Sequence, residues 1–379
     1  MLAHFGHHLV GTLLTPLLPF IRNDFALDYT QAGGLVSAYT IAYGIGQLPG
    51  GWLADRIGPR LVLTAGIAGV AAAGIMVGLS TTYVMLVLFL ILLGLMGGGY
   101  HPASAPLVSA AVKPQNRGKA LGLHQIGGTG SFFLTPLIAA GIAGALGWRG
   151  TFLAVSIPTI VFGIIFYVLL GRFEYTKKTK PGTPGSPSEA PHAPGRLRPL
   201  VAMVTLGIGT MVLIYSAISF IPLFIVDHFG TSEATAAAML ALVYSGGLWA
   251  GPLGGYLSDR IGKVPVMLAV GLIGGPVVYL MNLAPFGWIF SVILILIGMA
   301  QHLGMPVVEA YVISHSSERR RSTVLGIYYS ARQGGPGIIA PLIGYLIDHY
   351  GFHTSFSIVG ATVVVVTLVC TALLWGSKD

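Results

Sequence analysis

The stretch GGWLADRIG at Gly50–Gly58 recurs as GGYLSDRIG at Gly254–Gly262, 204 residues later. The same offset carries Leu121-Gly122 onto Leu325-Gly326, Pro102 onto Pro306, and GWRGTF at Gly147–Phe152 onto GFHTSF at Gly351–Phe356. Agreement at four separated places with one offset marks a duplicated unit. Each copy holds apolar stretches long enough to cross roughly 30 Å of hydrocarbon. They fall near 2–22, 31–53, 61–80, 83–112, 119–146 and 151–171, then near 200–225, 233–257, 264–283, 286–314, 322–346 and 355–375. Between the two sets lies TKKTKPGTPGSPSEAPHAPG, which cannot bury enough apolar area to fold and reads as a flexible cytoplasmic linker. The expected organisation is an N-terminal six-helix bundle at 1–171, the linker at 172–199 and a C-terminal six-helix bundle at 200–379. The fold class is an all-α membrane protein, with twelve transmembrane helices in two pseudo-symmetric bundles. A parallel repeat of this kind relates the bundles by an axis along the membrane normal and places a solute site between them near midplane.

Composition excludes the other broad classes. Of 379 residues 54% are hydrophobic and 8% charged, against about 25% charged in a soluble domain. A soluble enzyme would lack surface charge, and a disordered chain would not carry so much apolar side chain. The net charge of +8 does not mean a nucleic-acid partner, because every basic residue except Arg22, Arg149 and Arg332 falls in the loops of one side. That bias is the positive-inside rule, with both termini in the cytoplasm and the chain in the cytoplasmic membrane. No cleavable signal peptide is expected before the first span. Cys370 stands in an apolar run and offers neither a disulfide nor a thiolate metal site. The 54 glycines suit helices that pack through small residues. Gly46-x-x-x-Gly50 and Gly247-x-x-x-Gly251 are the expected sliding faces.

Within the repeat motif, Gly51 and Gly58 permit close approach and a tight turn. Asp55 can face a helix N-terminus, while Arg56 and Arg60 reach headgroups or acidic partners. Asp259 and Arg260 repeat the device. The expected role is a cytoplasmic latch holding one conformation; ordering of the loop is the structural alternative. Gly97-Gly98-Gly99-Tyr100-His101-Pro102 interrupts the fourth span, since proline and glycine weaken a helix there. No Gly-Lys-Ser/Thr follows, so it is no phosphate loop.

Ionisable groups inside a membrane are costly and mark function. Two strongly charged ones fall in the spans, Glu309 and Arg332. Arg332, roughly 15 Å into its span at 1.5 Å per residue, reads as a substrate ligand. Glu309 reads as a proton-coupling group or as a neutraliser of Arg260. His8, His101, Gln125, Tyr244, Gln301, His302, Tyr328, Tyr329 and Gln333 lie at comparable depth, and all but Tyr329 are taken as substrate contacts. His124 and His101 join Glu309 as proton-coupling candidates, because imidazole titrates near physiological pH. His4, placed near the cytoplasmic mouth, shares a helix face with His8. No carboxylate or cysteine accompanies that pair in sequence, so no metal is expected. No nucleophile stands with a base, so the chain is not read as an enzyme, and no cofactor is expected.

GGWLADRIGPR resembles the loop 2–3 signature of the major facilitator superfamily, and the resemblance runs the length of the chain. His4-Phe5, Gly99–Ser104 (GYHPAS) and Gln125–Gly128 (QIGG) resemble the fosmidomycin-resistance branch of drug exporters. The resemblance implies a monomeric secondary transporter that exports a small organic solute or drug in exchange for protons. Two departures stand out. The arginine that many proton-coupled members carry in the fourth span falls near Leu93, and the fifth-span antiporter motif is reduced to Thr135-Pro136. A gradient-independent facilitator or importer of an anionic metabolite is therefore the alternative, and a non-transporting receptor is a third reading.

Overall fold

The computed structural model describes residues 1–172, 197–315 and 318–374. Most of the expected linker, and the basic residues Arg319, Arg320, Arg321 and Lys378, lie outside the residues whose side chains are described. The elements are α1 (Leu2–Gly11), α2 (Leu14–Phe25), α3 (Tyr29–Ile57), α4 (Pro59–Thr64), a π-turn (Ala65–Gly69), α5 (Val70–Gly78), α6 (Tyr83–Gly98), α7 (Tyr100–Ala110), α8 (Arg117–Arg172), α9 (Leu197–Phe229), α10 (Glu233–Ile261), α11 (Lys263–Leu280), α12 (Trp288–His315) and α13 (Glu318–Leu374). There is no strand among the described residues.

The repeat is written in the backbone. α3 begins at Tyr29 after Asp28, whose carboxylate accepts from the Gln31 amide while the Gln31 side chain accepts from Asp28. α10 begins 204 residues on, after Ser232, whose hydroxyl accepts from the Thr235 amide. Both are N-caps that satisfy otherwise orphaned donors. The two helices end at Gly58 (φ 90°) and Gly262 (φ 94°), a backbone region that only glycine enters without strain. α8 has 56 residues and α13 has 57. At 1.5 Å per residue each is about 84 Å long, more than twice the hydrocarbon thickness. Each turns back at a glycine, Gly147 (φ 67°, ψ 177°) and Gly351 (φ 75°, ψ 170°), and so supplies two crossings. Counting α1–α2, α4–α5 and α6–α7 as one crossing each gives the twelve of the expected fold.

Two breaks shape the interior. The first span is interrupted at Thr12–Leu13, where the Thr12 hydroxyl donates to the His8 carbonyl at 2.8 Å. The fourth breaks at Gly99, as the glycine run predicts. Glycines then set the helix seams. A Cβ on Gly50 would stand 2.7 Å from Gly99 Cα, and one on Gly46 3.0 Å from the Leu95 carbonyl, so α3 packs directly on α6–α7. The expected second face is corrected. Gly247 faces His302 and Thr129 at 3.3–3.4 Å and Gly251 has nothing closer than 3.9 Å. Gly246 and Gly254 make the tight backbone approaches instead, to Gly298 and Leu303 of α12.

The halves meet chiefly through α3 on α13 and α8 on α10. At the end bearing the Asp28 and Ser232 caps (the cap face) the joint is tight. Arg22 pairs with Asp227, Asn23 donates to Glu233, and the Tyr29 hydroxyl donates to Asp227 at 2.6 Å. Asp348 receives the Tyr29 and Thr30 amides at 2.9 and 2.8 Å and the Thr30 hydroxyl at 2.6 Å. It thereby caps a helix of the other half with negative charge at its positive end. Toward the end bearing Gly58 and Gly262 (the loop face), no ion pair joins the halves among the described residues. Gly118, Gly122 and Gly326 have open space around them, and Gly122, Leu123, Gln125 and Ile126 are exposed on more than one side of α8.

Candidate functional site: a cavity between the repeats

Between the halves lies a cavity of about 130 Å³. The first half contributes His4, His8 and Thr12 from the broken first span, Tyr39, Thr40 and Tyr43 from α3, His101 from α7, and Gln125, Thr129 and Phe132 from α8. The second contributes Tyr215, Tyr244, Gln301, His302, Met305, Arg332 and Gln333. Helical spacing explains the grouping: His4 and His8, Gln125 and Thr129, and Tyr39 and Tyr43 are each four residues apart and so share a face.

Of the residues singled out from sequence, Arg332, His101, Gln125, Tyr244, Gln301, His302, Gln333 and His8 all line this cavity. Tyr328 does not. Its ring is fully buried in the core of the second half, packed with Met203, Leu206 and Tyr311, and its hydroxyl is directed at Met211 Sδ, 3.9 Å away. His4 is also re-placed: it is buried in the cavity wall rather than standing at the mouth. Gly128 makes this possible, since a Cβ there would come within 2.5 Å of the His4 ring. Tyr39, Thr40, Tyr43, Tyr215 and Thr12 were not anticipated. Thr12 and Thr40 carry the weaker signal of a hydroxyl within a span, and the tyrosines read equally as packing.

Arg332 forms no ion pair among the described residues; the pairs seen are Arg22–Asp227 and Arg149–Asp24. Gln301 Oε1 is buried with no partner, leaving an acceptor in the wall. His302 Nδ1 hydrogen-bonds the Gly298 carbonyl at 2.9 Å. Glu309 lies outside the cavity and accepts from the Tyr329 hydroxyl at 2.5 Å. It does not neutralise Arg260, whose guanidinium sits over the Tyr256 ring at 4.9 Å. His124 is buried behind the wall, stacked on His4 at 4.3 Å.

The residues expected to form a latch make no ion pair with the other half among the described residues. Asp55 and Asp259 are exposed with no ion pair among the described residues. Arg56 covers Trp52 of its own helix at 5.1 Å. Arg60 covers the Tyr167 ring at 3.7 Å and donates to the Tyr167 carbonyl. On the cap face burial and the Asp227 carboxylate push the Tyr29 hydroxyl up to about 12, so it stays a donor across the physiological range.

A second void, about 610 Å³, is bordered by Ile41, Ile45, Leu48, Ile208, Val212 and Ile338. It is larger but almost purely apolar. The central cavity carries the convergent polar groups that mark a solute site.

The family model described as Major Facilitator Superfamily matches residues 1–224 and 203–379. The multidrug resistance protein MdtG of Citrobacter koseri is 26% identical over 378 residues, covering 96% of this chain and 91% of that one. A probable L-galactonate transporter of Escherichia coli is 31% identical over 159 residues, covering 42% of this chain and 35% of that protein. The crystal structure of a D-xylose-proton symporter superposes with a TM-score of 0.74 at 18% identity, covering 100% of this chain and 97% of that one. With two repeats of six crossings and a polar cavity between them, the chain belongs to the Major Facilitator Superfamily and is an integral membrane secondary transporter of small molecules, not an enzyme.

Proposed function

We propose that the chain moves a compact anionic organic solute by alternating access, exporting it from the cytoplasm in exchange for protons. The observation behind this reading is Arg332, a guanidinium in the cavity wall with no ion-pair partner among the described residues. A charge at such depth needs an anion or water to be tolerable. His101, His8, Gln125, Gln301, His302, Gln333 and Tyr244 complete the solute's hydrogen bonds. At about 130 Å³ the cavity falls below the roughly 300–1,000 Å³ typical of drug-sized ligands, which favours a small solute. The galactonate of one relative's name is a carboxylate, and the multidrug name of another supports export.

Orientation follows from charge. Arg56, Arg60, Lys113, Arg117, Lys119, Arg260 and Lys263 belong to the loop face, whereas Asp24, Asp28, Asp227, Glu233 and Asp348 belong to the cap face. The loop face and both termini are then cytoplasmic, and the conformation described is open inward. Gly51, Asp55, Arg56, Gly58, Arg60, Asp259 and Arg260 engage across the halves in the opposite conformation. Each bundle, 1–171 and 200–379, rocks as a unit on the 172–199 linker, and one chain holds a whole cavity, so a monomer suffices.

Glu309 is the proton-coupling carboxylate. Tyr329 ties it to the helix that carries Arg332, with His101 and His124 as further proton carriers. Proteoliposomes loaded with a candidate carboxylate test the reading. Efflux should acidify the lumen and depend on the pH gradient in the parent chain, and Glu309→Gln should remove that dependence while exchange persists. Counterflow in the parent that an uncoupler leaves unchanged would favour a facilitator or importer of the same anion, with the buried Leu93 at the fourth-span arginine position in keeping.

A further inference from the structure

His4, His8 and His101 form a triangle. Their ring centroids are 4.9 Å apart (His4–His8), 5.1 Å (His4–His101) and 5.1 Å (His8–His101). One nitrogen from each lies within 4.8 Å of the other two. We infer that this triangle binds a divalent transition-metal ion, of which zinc is the best-suited probe, with an open coordination position toward the cavity.

His4 is already set as a ligand. Its Nδ1 is 2.9 Å from the His124 carbonyl, which can only accept, so Nδ1 carries the proton and Nε2 carries a lone pair. That Nε2 is buried without a partner, and the ring itself is 1% exposed. An imidazole oriented by a carbonyl at its far nitrogen is the usual outer-shell arrangement of a metal-bound histidine. A buried acceptor left unpaired is also costly unless something occupies it. His8 and His101 have no side-chain hydrogen bond to another described residue, so each can rotate without breaking one. Tetrahedral zinc with nitrogens at about 2.0–2.1 Å brings them roughly 3.3 Å apart, so the three rings close in by about an ångström and a half.

His7 is excluded although it adjoins the cluster. Its Nδ1 is held by the Gly66 carbonyl at 2.5 Å and its Nε2 by the Tyr43 hydroxyl at 3.0 Å. His124 accepts from His4 through its main-chain oxygen and stacks its ring on the His4 ring at 4.3 Å, but it does not line the cavity. Three imidazoles and no thiolate suit zinc, cobalt, nickel or copper rather than calcium or magnesium, which prefer oxygen. A three-histidine set with a vacant fourth position is the donor pattern of an ion that also takes an exogenous ligand. The vacant position looks into the cavity whose far wall holds Arg332, so metal and guanidinium would share one anion.

The test uses the full chain, purified without a histidine tag and stripped with chelator. Titration with zinc, and separately with cobalt, is followed by calorimetry and by the visible absorption of four-coordinate cobalt. One ion per chain is expected, with a cobalt band that changes when a small carboxylate is added. His8→Asn and His101→Asn should each abolish both signals, while His349→Asn, on the cap-side surface, should not. Each variant is checked for an unchanged melting temperature in the metal-free state. If a variant fails to fold, protection of His4, His8 and His101 from diethyl pyrocarbonate by zinc in the parent chain decides the matter. Absence of a single stoichiometric ion, or an unchanged cobalt band in His101→Asn, overturns the proposal. An overturned proposal leaves the anion reading on Arg332 standing, because that reading is tested on solute flux without added metal.

Discussion

Arg332 and the glycine beside His4 show how single residues decide the cavity's chemistry. A hydrogen bond to a charged group is worth about 1.5–3 kcal/mol. Arg332→Gln should therefore weaken binding of an anionic solute roughly ten- to a hundredfold and leave an uncharged analogue of the same shape nearly unaffected. Arg332→Lys should fall between, since an ammonium keeps the charge but loses the planar fork. Thermal shift against the two ligands measures both, and equal losses for anion and neutral analogue would remove the electrostatic basis of the reading. Gly128→Ala should act through His4, because the new methyl meets the imidazole carbon at 2.5 Å. Overpacking of this kind costs about 1–3 kcal/mol, to be seen as a lower melting temperature together with weaker solute binding. Arg332, His101 and the glutamines were legible in sequence because each is a polar side chain where the bilayer makes polarity expensive. Tyr43 and Tyr215 were not, because a tyrosine in a span reads equally as packing. Tyr328 misled for the same reason in reverse: its depth was right, but its side of the helix faces the core.

Helices inherit their bends from residues that recur 204 positions apart, so their energetics should recur as well. Gly147 and Gly351 turn α8 and α13 with φ of 67° and 75° and ψ of 177° and 170°, an essentially glycine-only region that costs a residue with a Cβ about 1–3 kcal/mol. Gly147→Ala and Gly351→Ala should each destabilise by about that amount and by similar amounts in the two halves. Gly141→Ala, in open space within α8, should be neutral or gain about 0.5–1 kcal/mol. Denaturant titration in detergent compares the three, and a large asymmetry between the first two would mean that the repeat is not energetically equivalent. The duplicated fold was readable because turn glycines and helix caps leave fixed marks in the sequence. The seams between helices were only half readable. Gly46 and Gly50 meet α6–α7 as their spacing suggests, but on α10 the spacing pointed to Gly247 and Gly251 while Gly246 and Gly254 make the close approach. A glycine pair shows that something comes near, and only the packed structure shows on which side. The break at Thr12–Leu13 left no strong sequence mark either.

For the whole molecule the question is which conformation the contacts favour, and the balance rests on the cap face. Arg22, Tyr29 and Thr30 of one half are held by Asp227 and Asp348 of the other, while the loop-face acids Asp55 and Asp259 are unpaired among the described residues. Gly33 and Gly344 let the backbones touch beneath these bonds, at Ala340–Pro341 and at Tyr29–Thr30. The exposed pair Arg22–Asp227 is worth at most about 1 kcal/mol after solvent screening, but the Asp348 cap makes three hydrogen bonds at a helix N-terminus, each to a carboxylate. Asp348→Asn should thus shift the population toward the opposite conformation more than Asp227→Asn. A shift of about 1.4 kcal/mol is tenfold in the ratio of states. Asn23→Cys paired with Glu233→Cys, two positions that face each other across the cap face, cross-linked or spin-labelled, reports its separation and leaves Tyr29, Asp227 and Asp348 in place. The pH behaviour has a definite sign. Burial and Asp227 raise the Tyr29 hydroxyl from 10.0 to about 12, so its contribution to closure is intact below pH 10 and is lost only as pH rises through about 12. In the parent chain the Tyr29 contribution should therefore stay constant from pH 6 to 9 and weaken above 10. Tyr29→Phe, which removes that hydroxyl from the cap face, should abolish the alkaline weakening and lower closure by a constant, pH-independent amount from pH 6 to 9. An alkaline loss of closure that persists in Tyr29→Phe would show that another group on this face, not the Tyr29 hydroxyl, governs the gate.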